Sequence, residues 1–373
     1  KAMQLLKLKP VIHKFDTFGE FAKEFNLNEK DLLITNEFIY KPYMEALGLK
    51  CNFIFQEKYG LGEPSDEMMN AILAEAKKKP FERVIAVGGG TIIDTAKLFC
   101  LKGVDDVVKA FERSIPIVKE KTLLIVPTTC GTGSEVTNIS IAEIKSKHTK
   151  MGLADDQILA DSAILIPELL KGLPWKPYIC ASIDALVHAT ESFVSPKANY
   201  YTRVFSKSAA EMILKVFKVL AKDGQEARHK FHEEMLVASN FAGIAFGNAG
   251  VGAVHALSYP LGGTYHVPHG ESNYQLYTAV FDVYLAKQPK GSIEGLNRIL
   301  ADNLGCSTDK VYVELDNLLS KLLAKNKLRT YGMTEADIDG FSDNVLKTQQ
   351  RLLNNNYVPL SREEIRGIYQ RLW

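Results

Sequence analysis

The sequence predicts an α/β protein in two parts: a Rossmann-like dinucleotide-binding domain over residues 1–175, then an all-α domain over residues 176–373. Three observations point there. The first half alternates short apolar runs with helix-period segments, as a parallel sheet covered by helices requires. Glycine- or hydroxyl-rich turns follow two of those runs. Beyond Leu173-Pro174-Trp175 the strand pattern stops and long helical patterns take over. A length of 373 residues also exceeds what one hydrophobic core usually spans.

Taken in order, residues 32–35, 84–87 and 123–126 are short, apolar and partly β-branched, as strands buried on both faces are. Residues 66–79 carry helical periodicity between the first two. In the second part, residues 201–219 and 311–323 read as helices. Near the end, Ser361 with Glu364 forms a capping box that opens a last helix, and Pro359 lies just upstream.

Composition narrows the partners. The chain is 46% hydrophobic and 24% charged with a net charge of +1, so no electrostatic footprint points to nucleic acid or to a membrane surface. No apolar run reaches bilayer length. The start, Lys1-Ala2-Met3, lacks the apolar stretch and cleavage site of a signal peptide. The five cysteines are scattered, odd in number and without a C-x-x-C, which argues against a disulfide framework and a thiolate zinc site. A small-molecule substrate in a reducing cytoplasm is the expectation.

Gly88-Gly89-Gly90-Thr91 follows the second strand and precedes a helical pattern. Residues without Cβ let backbone approach a phosphate, and the helix start offers free N–H groups. The stretch is not the G-x-G-x-x-G of the common dinucleotide fold, and alone it reads equally well as a tight turn. A second loop, residues 127–135, follows the third strand and concentrates Thr128, Thr129, Thr132 and two glycines. Ligands in open α/β sheets sit at the carboxyl ends of strands. Two such loops in one sheet favour a nucleotide diphosphate.

Asp184 and His188 stand four apart, on one face of a helix, with Glu191 nearby. By itself the pair is more often a surface interaction than a metal site. His255 and His269 are about 21 Å apart if a single helix joins them, too far to share an ion. Pro260, Gly262 and Gly263 are expected to break that helix and bring the two histidines together. One carboxylate and three imidazoles suit Fe2+ or Zn2+ with a position open to substrate. His13, His229 and His232 read as surface residues, and His148 stands out only weakly.

These residues, in this order, resemble the iron-containing (group III) alcohol dehydrogenase family over nearly the whole chain. The resemblance rests on Gly88–Gly90, Thr128–Glu135, Asp184–Glu191 and His255–Gly270 in combination. It implies hydride transfer between a primary alcohol and a nicotinamide cofactor. It implies that Asp184, His188, His255 and His269 hold Fe2+, sometimes Zn2+, and that Gly89, Gly90 and Thr91 receive the pyrophosphate. Asp94, Thr128, Thr129, Thr132, Thr137 and Lys150 are implied around the cofactor, and a homodimer or higher homo-oligomer is implied as well. Two departures stand out. Many family members have a histidine near the nicotinamide where this chain has Tyr259, so Tyr259 and His266 are left as candidates for the proton route. Asn36, followed by Glu37, occupies the position where the family often has an aspartate that excludes a 2′-phosphate. A closer likeness to one branch of the family, carried by residues 57–64 and 248–255, implies NAD nonetheless. Rival readings are a dehydroquinate synthase-like lyase, which needs a basic cluster beside the metal that is missing here, and a non-catalytic NAD- or metal-binding regulator, which should have lost ligands.

Overall fold

A computed structural model describes residues 2–373, which form two compact units: residues 8–173, and residues 174–373 together with the segment before residue 8. The first unit is built on a six-stranded, all-parallel sheet. In chain order its strands are β1 (Val11–Lys14), β2 (Asp31–Thr35), β3 (Asn52–Phe55), β4 (Arg83–Gly88), β5 (Thr122–Pro127) and, after a separate hairpin of β6 (Ile139–Ile144) and β7 (Thr149–Ala154), β8 (Ser162–Leu165). In space the sheet runs β1-β8-β5-β4-β2-β3. The three runs read from sequence are the cores of β2, β4 and β5.

Alternate residues on one strand point to opposite faces, so each of these strands feeds two cores. Ile34, Val84, Ala86, Leu123 and Ile125 pack with the helices Asp66–Ala76 and Gly90–Phe99. Leu33, Ile85, Val87, Leu124 and Val126 pack on the other side with Phe18, Phe21 and Ile39. Burial on both faces is why the runs are continuous rather than alternating. The chain steps outward from β2 to β3 and then returns to the far side of β2 as β4, so the carboxyl ends of β2 and β4 flank the switch point.

The β6–β7 hairpin escaped the sequence reading for a specific reason. Ser140 is buried beside Ala142, Ile144 and Leu153, while Ile139 and Ile141 are only half-buried, so in the first half of β6 the apolar residues alternate onto the less buried face. Ser140 is held inside by donating its hydroxyl to the Asp94 carbonyl at 2.8 Å.

The second unit is wholly helical. The helix Trp175–Val194 is buried along nearly its whole length from Tyr178 onward and packs against Tyr200–Asp223 and His232–Ala249. The last helix, Arg362–Leu372, starts with the anticipated capping box: Ser361 Oγ accepts from Glu364 N–H, and the Glu364 carboxylate accepts from Ser361 N–H. Among the described residues no single helix is long and apolar enough to cross a membrane.

Two expectations need correction. The helix after His255 does not break at Pro260, Gly262 or Gly263; it runs from Ala253 to Tyr265 with the proline inside it. A buried proline costs such a helix about 3 kcal/mol, which burial of Val254, Ala256, Leu257 and Leu261 outweighs. The chain turns later. His266 adopts a left-handed conformation (φ 57°), its N–H closes on the Gly262 carbonyl, and Pro268 then precedes the next helix, His269–Lys287. His13 and His232 are also not surface residues. His13 is half-buried edge-on to Phe25, and His232 is buried, its Nε2 2.9 Å from His229 Nδ1.

Candidate functional site

The helical unit gathers Asp184, His188, His255 and His269 so that one ligand atom from each lies within 4.8 Å of all the others. Asp184 and His188 come from one face of the helix Trp175–Val194, His255 from the first turn of Ala253–Tyr265, and His269 from the first residue of His269–Lys287. Two glycines allow that convergence. A Cβ on Gly270 would fall 1.8 Å from the Cys180 carbonyl oxygen, and one on Gly252 would fall 2.5 Å from Asn356 Oδ1. A side chain at Gly270 would push its helix away from the one bearing Asp184 and His188, and one at Gly252 would strike Asn356.

Asp184 Oδ1 is the hub. His188 Nε2 lies 3.4 Å from it, and the Nε2 atoms of His255 and His269 each lie 3.3 Å from it. Metal–ligand bonds of about 2.1 Å in a tetrahedral site put neighbouring ligand atoms about 3.4 Å apart. The observed spacing, and a donor set of one oxygen and three nitrogens, therefore fit Fe2+ or Zn2+. Burial would raise the Asp184 carboxyl, but the imidazoles of His188 and His269 and hydrogen bonds from His255 and His269 hold it well below the usual range. Burial likewise opposes charge on His255, yet its bonds to Asp184 and Glu191 push the imidazole up to about 9. The cluster thus gathers three imidazoles around one buried carboxylate, an arrangement a cation would suit. Three of the four residues are buried; the His269 side chain is 43% exposed, which leaves the cluster open on that side.

Two further residues hold this arrangement. Glu191 Oε1 accepts from His255 Nδ1 at 2.5 Å, while its Oε2 accepts from the backbone N–H of Gly252 at 3.1 Å and of Val254 at 2.9 Å. One carboxylate caps the helix and turns the His255 Nε2 toward Asp184. Asn273, a turn beyond His269, donates Nδ2 to Asp184 Oδ1 at 2.8 Å, and its Oδ1 is fixed by the Ser258 hydroxyl at 2.6 Å. Asn273 was missed from sequence, although its spacing of four from His269 was the available signal. Of the two proton-route candidates, Tyr259 lies beside the cluster, its ring 6.1 Å from that of His269. His266 is exposed at the end of its helix.

In the sheet unit, Gly89 precedes and Gly90 begins the helix Gly90–Phe99 at the end of β4. A Cβ on Gly89 would lie 3.8 Å from Thr129 Cγ2, and one on Gly90 would lie 3.7 Å from Thr132 Cγ2. The missing side chains leave a gap between the two loops, lined by backbone and threonines, which fits a diphosphate. Thr128 N–H donates to the Gly88 carbonyl at 3.2 Å, which ties the loops together. Thr91 donates its hydroxyl to the Gly62 carbonyl at 3.0 Å, and Lys150 pairs with Glu63 at 2.5 Å. Asn36, buried at the end of β2, donates Nδ2 to Gln56 and Glu57.

Asp94 and Thr137 are joined through a residue the sequence reading passed over. The buried Lys97 ammonium donates to Ser134 Oγ at 2.8 Å, Thr137 Oγ1 at 3.2 Å and the Ile139 carbonyl at 2.8 Å. Asp94 meanwhile accepts from Ser134 Oγ and from Ile141 N–H. Burial pushes Lys97 down to about 8 against the pull of Asp94 and Glu135, and it pushes Asp94 up to about 6 against Lys97. Lys97 anchors the second loop onto the glycine-turn helix.

Residues 11–167 match the sequence profile of the iron-containing alcohol dehydrogenases, and residues 178–373 match the C-terminal profile of the Fe-containing alcohol dehydrogenase family. The chain belongs to the iron-containing alcohol dehydrogenase family. It is 53% identical over 371 residues to 4-hydroxybutyrate dehydrogenase of Clostridium kluyveri, covering 100% of both chains. It is 30% identical to sulfoacetaldehyde reductase of Bilophila wadsworthia, covering 97% of each. Among solved structures it superposes on a 1,3-propanediol oxidoreductase with a TM-score of 0.86 at 24% identity, covering 99% of this chain and 100% of that one. A sulfoacetaldehyde reductase from Bifidobacterium kashiwanohense in complex with NAD+ gives the same TM-score at 20% identity, covering 100% and 99%. These two likenesses establish the fold: a parallel-sheet α/β domain followed by a helical one.

Proposed function

We propose that this chain is an NAD-dependent, iron-type alcohol dehydrogenase that interconverts 4-hydroxybutyrate and succinate semialdehyde. The observation that carries the substrate is the 53% identity to the Clostridium kluyveri enzyme across both full lengths. The cluster of one carboxylate and three imidazoles supports the metal, and the gap between two strand-end loops supports the dinucleotide. We place the enzyme in the cytoplasm, in keeping with five scattered cysteines and no disulfide among the described residues, and propose that it works as a homodimer or higher homo-oligomer, as the family likeness implies.

In this reading Asp184, His188, His255 and His269 hold Fe2+, with Zn2+ as the alternative ion. Bound there, the ion would supply Lewis acidity at the alcohol or aldehyde oxygen, and the nicotinamide cofactor would supply the hydride chemistry. Glu191 and Asn273 keep the ligand atoms aimed inward, so little reorganisation is left for the reaction itself. The exposed His269 side is the approach for substrate. The hydroxyl proton released on oxidation needs a route outward, and Tyr259, next to His269, is better placed for it than His266. Gly89, Gly90 and Thr91, with Thr128, Thr129 and Thr132, receive the diphosphate; Asp94, Thr137 and Lys97 fix the loop that supplies those threonines.

The test is NADH oxidation by the Fe2+- or Zn2+-loaded protein, with succinate semialdehyde compared against butyraldehyde. A strong preference for the semialdehyde is expected, because only it presents a distal carboxylate. Equal rates would keep the dehydrogenase and remove the 4-hydroxybutyrate assignment in favour of another short alcohol or diol. No turnover with either aldehyde would leave a binding protein.

A further inference from the structure

Position 36 carries an amide where a carboxylate often guards against a 2′-phosphate, which leaves the preference for NAD without an evident source at that residue. The structure supplies one from the next strand. In the parallel register Thr35 of β2 pairs with Phe55 of β3, and Ile34 of β2 pairs with Ala86 of β4. The carboxyl ends of β3, β2 and β4 therefore lie side by side, and the glycine turn is on β4. In doubly wound sheets the diphosphate sits at the glycine turn, and the adenosine ribose lies over the end of the neighbouring strand. Here that neighbour is β2, whose end is Asn36.

Glu57, two residues past β3, reaches this point. Its Oε2 accepts from Asn36 Nδ2 at 3.0 Å, and its Oε1 accepts from the Glu37 backbone N–H at 2.6 Å. Both oxygens are thus fixed in place, and the side chain is half-buried rather than free to swing away. The same segment borders the cradle a second time, where the Gly62 carbonyl accepts the Thr91 hydroxyl. Glu37 is the weaker candidate. Its side chain is 46% exposed and pairs with Lys41 at 3.3 Å, whereas its backbone serves to orient Glu57.

We infer that Glu57, held by Asn36 and the Glu37 backbone at the ends of β2 and β3, is the residue that selects NAD over NADP: it accepts from the ribose 2′-hydroxyl and repels a 2′-phosphate. Asn36 is then a positioning residue for a charge that has moved one strand over. The inference rests on the NAD-dependent reading of the chain. It concerns specificity only, and no chemical step depends on it.

The test measures Kd for NADH and NADPH by quenching of protein fluorescence, which needs no turnover. Wild type should bind NADPH at least about tenfold more weakly than NADH, the scale of one like-charge contact near a protein surface. Glu57→Gln keeps an acceptor for the Glu37 N–H and removes the charge. It should tighten NADPH and bring the two constants within a few-fold, with NADH weakened only by the lost charge assistance to the ribose bond. Glu37→Gln should leave the wild-type ratio unchanged. Raising the ionic strength should narrow that ratio in wild type but not in Glu57→Gln, because a half-exposed repulsion is screened; this arm holds even if the substitution lowers stability. An unchanged ratio in Glu57→Gln, a shift in Glu37→Gln instead, or equal binding of both cofactors by wild type overturns the inference. Failure of wild type to bind either cofactor would instead remove the NAD reading on which it rests.

Discussion

The candidate metal cluster draws side chains from three helices, whereas the proposed nucleotide cradle is made mostly of backbone and short hydroxyls at the ends of two strands. The cluster is specified residue by residue: each imidazole needs its own position, tautomer and support, so Glu191 and Asn273 matter almost as much as the ligands. The cradle is specified by what is missing. Gly89 and Gly90 leave room, and Lys97 holds the opposite wall in place from within. A site of the first kind should fail abruptly when a side chain is lost. The second kind should degrade gradually.

Four measurements sharpen or break that contrast, taken here from the largest expected effect down. His269→Ala should abolish metal retention and turnover together while leaving a folded protein. Lewis-acid stabilisation is worth several kcal/mol, so kcat/KM should fall by about a thousandfold or more. Full activity in that variant would remove the ligand assignment altogether.

Lys97→Met probes the cradle through pH. Burial depresses Lys97 to about 8 from an ordinary 10.5. A depressed group gives its full contribution above the unfolded pKa and loses it as pH falls through the folded one. Wild type should therefore gain stability relative to Lys97→Met as pH rises from about 8 to about 10.5, by about 2–3 kcal/mol. Denaturant unfolding of both proteins at the two ends of the window measures it, and the subtraction cancels the buried cysteines and tyrosines that titrate in the same range. A flat difference would mean that Lys97 keeps its ordinary pKa inside the fold, and a difference already rising well below pH 8 would mean that it is neutral there.

Glu191→Gln separates helix capping from ligand orientation. The amide oxygen can still accept from Gly252 and Val254, but its NH2 then faces His255 Nδ1 and favours the wrong tautomer. Metal affinity should fall about 10–100-fold with little change in the metal-free melting temperature. Equal losses in both would reduce Glu191 to a cap. Smallest in effect, Gly90→Ala should weaken NADH binding by roughly tenfold through the added Cβ, about 1.4 kcal/mol, with metal affinity untouched. Loss of metal in this variant would show that the two sites do not fail independently.

Legibility followed the same division. The strands β2, β4 and β5 and the loops behind β4 and β5 could be read because continuous burial and glycine–hydroxyl turns are local signals. The four residues that cluster could be named because Asp184 and His188 share a helical face and because the whole ordered set resembles a known family. The hairpin β6–β7 could not be read, since its buried residues include Ser140 and its half-buried ones include Ile139 and Ile141. The turn before His269 was assigned to the wrong residues because proline propensity is local, whereas the burial that overrides it is not.

By itself, then, the sequence determined an α/β half and a helical half, and it pointed to two glycine- and hydroxyl-rich strand-end loops and to a set of one carboxylate and three imidazoles. Tertiary structure alone decided that Glu191 would cap one helix and orient a histidine 64 residues away, that Lys97 would brace the second loop, and that Glu57 would stand at Asn36. Each of these is a buried or half-buried polar group whose partner is set by how distant elements pack. Pairing of that kind leaves no period, spacing or composition along the chain to be read in advance.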